Sequence, residues 1–199
     1  MSRFFVAVVV LASLSFRPEI GLAQRPTAAR QGASFSVGVG QGSARLTCTD
    51  CVPDRQSAPS YYVSLAGALR PNLVVGAAVD VWTKRVLDPG PDGYVRFTVA
   101  TLDVIGQWYP QPSAGFFVSG GLGYGTIDAR FDVSSEGSVS DRTSAFGYQL
   151  GAGYDLRVRR GFSLTPFVKM FGTASGAVEG TGAKLDAHVA EAGLGLTWH

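Results

Sequence analysis

The sequence predicts an all-β fold, a closed eight-stranded antiparallel transmembrane barrel. Three observations predict it. First, period-2 alternation of apolar and small or polar residues recurs along the whole chain. In the last segment Ala190, Ala192, Leu194, Leu196 and Trp198 share one face, and Glu191, Gly193, Gly195 and Thr197 the other. Second, nothing in the chain supplies a second layer to cover those apolar faces. The longest apolar run, Phe4 to Ala12, is too short for a helical span, which takes about 20 residues. Third, the segments are joined by short and long connections in alternation, as in outer-membrane barrels.

The eight expected strands run Ala33 to Gln41, Ser60 to Leu69, Leu73 to Trp82, Tyr94 to Tyr109, Gly115 to Gly125, Ser144 to Leu156, Phe162 to Phe171, and Leu185 to Trp198. Residues 70–72, 110–113 and 157–161 read as tight turns on one rim. Residues 42–59, 83–93, 126–143 and 172–184 are polar, rich in Gly, Ser and Asp, and read as long loops on the other. Strand four is irregular. Leu102, Val104, Gly106 and Trp108 share a face, whereas Val95, Phe97 and Val99 have the opposite parity. Either a bulge shifts the register or the upper part projects above the membrane.

Composition agrees with this class. Of 199 residues 46% are apolar and only 16% charged, with mean hydropathy +0.16. The formal net charge is +2 without a basic stripe, which argues against nucleic acid as a partner. Glycine is abundant, at 26 residues, and recurs inside the strands, where it marks bends and close backbone approach.

The N-terminus reads as an export signal. Arg3 precedes the apolar run, and Gly21-Leu22-Ala23 offers small residues for cleavage after Ala23. Residues 1–23 are therefore set apart as a signal peptide, 24–32 as a polar lead-in, and 33–199 as the barrel domain.

The pattern, with Gly120-Gly121-Leu122-Gly123-Tyr124-Gly125, Gly151-Ala152-Gly153-Tyr154 and the closing Gly193-Leu194-Gly195-Leu196-Thr197-Trp198, resembles the small outer-membrane β-barrel family of the OmpA/OmpX type. The resemblance covers residues 33–199. It implies residence in the outer membrane, contact with its lipid and lipopolysaccharide, and assembly by the barrel-assembly machinery. Family members usually end on an aromatic residue that this machinery reads. Here Trp198 is penultimate and His199 last.

Parity places Ser64, Asp80, Asp103, Gln107, Ser119, Gln149, Asp155, Lys169, Glu191 and Thr197 inside. Asp80, Asp103, Lys169 and Glu191 are expected at one height, as a polar network that fills a lumen too narrow for much else. Lys169 and Glu191 fall on adjacent strands and are expected to pair. Tyr61, Trp108, Phe116, Tyr154, Phe162 and Trp198 are candidates for the interfacial aromatic girdles. Cys48 and Cys51, in an exported chain, are expected to form a disulfide in the first long loop.

Catalytic and metal patterns are poor. His188 and Glu191 differ in parity, His199 is terminal, and no triad, phosphate loop or zinc helix occurs. No cofactor and no enzymatic activity are expected. The reading is a structural or surface-interacting barrel, with no particular surface partner indicated. A narrow ion or small-solute channel is the first alternative. A soluble, lipocalin-like barrel is the second, and it requires the reverse parity.

Overall fold

The computed structural model describes residues 32–48, 55–87, 93–133, 137–159, 161–177 and 184–199. The strands are β1 (Ala33–Cys48), β2 (Arg55–Arg70), β3 (Leu73–Leu87), β4 (Gly93–Trp108), β5 (Phe116–Val133), β6 (Gly137–Tyr154), β7 (Leu156–Arg159), β8 (Phe162–Ala177) and β9 (Lys184–Trp198). Sequence neighbours pair antiparallel from β1 to β6 and from β7 to β9, β1 pairs with β9, and β6 pairs with β8. The sheet therefore closes on itself. β6 and β7 are one stave interrupted at Asp155, so the barrel has eight staves. Closure leaves no sheet edge in hydrocarbon, where each unsatisfied backbone group costs several kcal/mol. No described helix is long and apolar enough to cross a membrane.

The lower outer wall is apolar. Leu65, Val104, Leu122 and Leu150 are each more than 60% exposed, an arrangement suited to lipid. Aromatics bound this band. Near the short turns, Phe35 packs on Trp198 with centroids 5.7 Å apart, and Phe162 packs on Trp198 at 5.5 Å. These rings clasp the seam where β8, β9 and β1 close the barrel. Trp108, Phe116 and Tyr154 continue the row. Higher up stand exposed Tyr61, Tyr124 and Phe146. Eight residues separate Phe116 from Tyr124 on β5. At about 3.3 Å per residue and roughly 40° of tilt, that is roughly 20 Å of height, near that of a lipid band. Tyr61 thus belongs to the upper row and the other five sequence candidates to the lower.

The staves are longer than the sequence suggested. β1 runs to Cys48 rather than Gln41, β2 starts at Arg55 rather than Ser60, β5 runs to Val133 rather than Gly125, and β8 to Ala177 rather than Phe171. β6 starts at Gly137 rather than Ser144. Most of the expected loop residues in 42–59, 83–93, 126–143 and 172–184 are strand. They read as loops because their outward residues are polar, as a wall standing in water requires.

Strand four explains itself in the same way. β4 pairs with β3 and with β5 without a register shift, so no bulge exists. Val99, Thr101, Asp103 and Ile105 all point inward and are buried. Above the lipid band the polarity inverts, with apolar side chains inside and polar ones outside. Thr83 and Thr98, opposite one another on the outer wall, hydrogen bond at 3.3 Å. The parity switch is a water line crossed by a continuous strand.

That boundary has a measurable consequence. Val104→Arg, in the apolar band, is expected to cost about 2–4 kcal/mol, whereas Thr98→Arg is expected to cost well under 1 kcal/mol. Urea unfolding of the two variants in lipid vesicles measures both. Equal costs would place the water line elsewhere.

Candidate functional site: the lumen

The interior is stacked in three tiers. Lowest is a cavity of about 470 Å³, lined among others by Ser36, Tyr62, Ser64, Gln107, Ser119 and Gln149. A chain of hydrogen bonds on its wall is centred on Asp155. The Tyr109 hydroxyl donates to Oδ2 of Asp155 at 3.0 Å, and the Thr165 hydroxyl donates to Oδ1 at 2.9 Å. Thr165 contacts Thr197 at 3.2 Å, and Thr197 contacts Ser36 at 3.0 Å. This chain crosses the β8–β9–β1 seam from inside, opposite the aromatic clasp outside. It supplies the buried polar atoms with partners, without which each would cost about 1–3 kcal/mol.

The middle tier is ionic. Register sets Lys169 directly opposite Glu191, and Lys169 Nζ lies 3.3 Å from Glu191 Oε1. The same ammonium donates to Asp80 Oδ1 across the lumen. The side chains of Lys169, Asp80 and Glu191 are 8%, 0% and 1% exposed. Asp103 stands apart from the lysine and accepts instead from the Thr101 hydroxyl at 2.8 Å. Three of the four network candidates thus meet directly, and the fourth is held by its own strand.

Tyr62 completes this tier. Lys169 Nζ lies 4.3 Å from its ring centroid, and Phe167 meets that ring edge-on at 5.0 Å. Gly38 and Gly195 lie in the same register row, and a Cβ at either would overlap Tyr62. The two glycines make room for the ring. Sequence reasoning passed over Tyr62, although its parity with Ser64 was a usable signal.

The upper tier is apolar. Trp82, Val99, Ile127, Phe171, Val189 and three alanines (Ala44, Ala58, Ala187) are all 5% exposed or less. Trp82 spends its one donor on the carbonyl of Gly42 at 3.2 Å, so the large ring is buried without an orphan N–H. Higher still, Lys84 donates to Gln56. Sequence reasoning missed this tier, because it placed Ala44 and Ala58 in a loop, ended strands at Trp82 and Phe171, and looked for polar rather than apolar residues inside.

The remaining candidates lie elsewhere. Cys51 is outside the described residues, as is the export signal, so the Cys48–Cys51 bridge has no geometry to report. His188 points outward and meets the Tyr148 hydroxyl through Nδ1, while Glu191 points inward. His199 Nε2 lies 3.0 Å from Ser163 Oγ, but Ser163 is fully buried. Among the described residues no group of three His, Cys, Asp or Glu is placed to hold a metal ion.

Comparison with known proteins agrees with the architecture. The profile of the family described as the autotransporter beta-domain matches residues 60–174. Two solved structures share the fold. One is Ail, the attachment invasion locus protein of Yersinia pestis, solved alone and with the heparin analogue sucrose octasulfate. In the structure without the analogue the TM-score is 0.57 at 13% identity, over 83% of this chain and 99% of Ail. The other is Neisserial surface protein A, with a TM-score of 0.54 at 14% identity, over 84% of this chain and 99% of that one. No curated protein matches the sequence.

Proposed function

This chain belongs to the autotransporter β-domain family, and on that premise we propose that it is a non-enzymatic outer-membrane barrel with a sealed lumen that works through its outer surface. It is an outer-membrane β-barrel protein of the bacterial cell envelope. The observation that carries the finer reading is the stacking of a tier built around the Lys169–Asp80–Glu191 ion pairs beneath a tier of buried apolar side chains. A hydrated ion moving up from the lower cavity would have to displace Lys169 from two buried carboxylates. It would then have to pass Trp82 and Phe171, whose large rings are buried in a cluster of apolar side chains. The buried Ser163 beside His199 offers no access for a substrate, which supports the non-enzymatic reading.

Export through cleavage after Ala23, folding by the barrel-assembly machinery and contact with lipopolysaccharide belong to the same proposal. So does the Cys48–Cys51 staple in the first outer loop.

The lower cavity favours one alternative, a narrow solute path. The experiment that separates the two is conductance in planar bilayers. Heat-dependent gel mobility in detergent, boiled against unboiled, first establishes that the barrel is folded. A folded barrel with no conductance above the lipid baseline is the expected result. Discrete channel openings by the same folded protein would replace the sealed-lumen reading with the channel.

A further inference from the structure

The lower cavity has the build of a small-molecule site. Its volume of about 470 Å³ falls in the range of about 300–1,000 Å³ typical of such sites. Its lining runs from Gly32, Gly161 and His199 at the short-turn rim up to Tyr62 and Lys169, where the ionic tier closes it. The rim is held by backbone hydrogen bonds. The carbonyl of Gly32 accepts from the Ala68 N–H at 3.1 Å, and that of Gly161 accepts from the His199 N–H at 3.0 Å. A mouth framed in this way needs little ordering when a guest enters.

The wall selects against charge. Among the described residues, the ions that line it are Asp155, Arg157 and Lys169. Each is already engaged. Lys169 is shared by Asp80 and Glu191, Asp155 accepts from Tyr109 and Thr165, and Arg157 has an interaction of its own. A charged guest would give up its hydration without a counter-ion open to it. What the wall offers is neutral. Val74, Ile105, Phe117 and Phe167 supply apolar and ring surface, while Ser64, Ser119 and Gln149 supply hydroxyl and amide groups.

Gln149 adds an independent sign of a guest. The residue is 6% exposed, and its Nε2 makes no hydrogen bond of ordinary length and angle, even with the Asp103 carboxylate close to it. A buried amide donor left open is costly, and an acceptor oxygen on a bound molecule removes that cost.

We infer that the lower cavity binds a small uncharged amphiphile, an aromatic ring carrying a hydroxyl or carbonyl oxygen, which enters through the short-turn rim. The ring lies on the apolar wall and the oxygen accepts from Gln149. The inference goes beyond the sealed-lumen reading and takes from it only the closed upper end.

The test uses the protein purified from the outer membrane, placed in lipid nanodiscs and labelled at its Ile, Leu and Val methyls. The probe is 2-naphthol, titrated by NMR. Because naphthol also dissolves in the bilayer, inward and outward methyls are read together. Saturable shifts are expected at Ile105 and Val74 in the cavity wall, against a non-saturating drift at Leu122 and Leu150 on the lipid face. Naphthalene, which lacks the hydroxyl, is expected to bind about fivefold more weakly. Gln149→Leu is expected to lower naphthol to the level of naphthalene. Ser119→Phe fills the cavity and is expected to abolish the saturable shift. Val118→Ala, on the outward face of the same strand, is expected to bind like the parent. The anion 2-naphthoate is expected to give no saturable shift. Folding of every variant is first checked by the heat-dependent gel shift.

Inward methyls that stay still in the folded parent would overturn the site and leave the sealed lumen standing, since conductance is read separately in bilayers. Unchanged saturation in a folded Ser119→Phe barrel would overturn the assignment to this cavity. Should that variant fail to show the gel shift, Ser64→Leu takes its place, with loss of affinity expected and unchanged affinity overturning the assignment. Equal binding of naphthalene would overturn the hydrogen bond to Gln149, and equal binding of 2-naphthoate would overturn the uncharged class.

Discussion

Lys169→Ala is expected to destabilise the barrel by about 3–5 kcal/mol, because it leaves Asp80 and Glu191 charged, buried and without their shared cation. The expected size follows from burial. Both carboxylates are sealed from solvent, so neither can recover hydration by a small side-chain motion. Urea midpoints of the folded protein in detergent, read by the heat-dependent gel shift, measure the loss. Removing the charges together should behave differently. Lys169→Met combined with Asp80→Asn and Glu191→Gln removes the charges of the triad together, and is expected to recover most of the stability lost by Lys169→Ala. A loss below about 1 kcal/mol in the single variant would mean that the tier is hydrated and its pairing weak. That result would also reopen the lumen as a path.

Trp82→Ala is expected to cost about 3–5 kcal/mol, since the ring is buried among Val99, Ile127, Phe171 and Val189 and the walls of a rigid barrel cannot collapse onto the space it leaves. Its second effect is functional. Combined with Phe171→Ala it removes the two largest side chains of the apolar tier. Water can then reach the ionic tier from above, and a conductance absent from the parent is expected in planar bilayers. Val104→Ala, on the lipid face, serves as the control and should leave the bilayer baseline unchanged. A Trp82→Ala/Phe171→Ala barrel that folds and stays electrically silent would place the seal in the ionic tier alone.

Both predictions concern the same column of side chains, and the sequence disclosed its two halves unequally. The ionic half was legible. Asp80, Lys169 and Glu191 interrupt otherwise apolar or small-residue segments, and period-2 alternation assigns them to the inside with no further information. The apolar half was hidden. Trp82 and Phe171 close their expected strands on the inside parity, and Val99 lies on the anomalous parity of strand four, so none of them reads as part of an apolar tier when a polar interior is expected along the whole chain.

The outer wall divides in the same way. Alternation alone placed Leu65, Leu122, Leu150 and Leu196 against lipid, because a strand has only two faces and the other one carried the charges. It also gave the closed, even-stranded class, since long and short connections alternate and an open apolar sheet has no stable place. Where each stave ends was a different question. The residues above the lipid band carry polar side chains outward, and by composition these cannot be told from loops.

Sequence by itself therefore determined the class of barrel, the lipid-facing residues and the charged residues of the lumen, because all three follow from a local period of two. The tertiary structure alone decided the height of the staves, the inversion of polarity at the water line and the burial of Trp82 and Phe171 above the ionic tier. Those depend on cross-strand register and on which solvent surrounds each level of the wall, and neither is written in the alternation of a single strand.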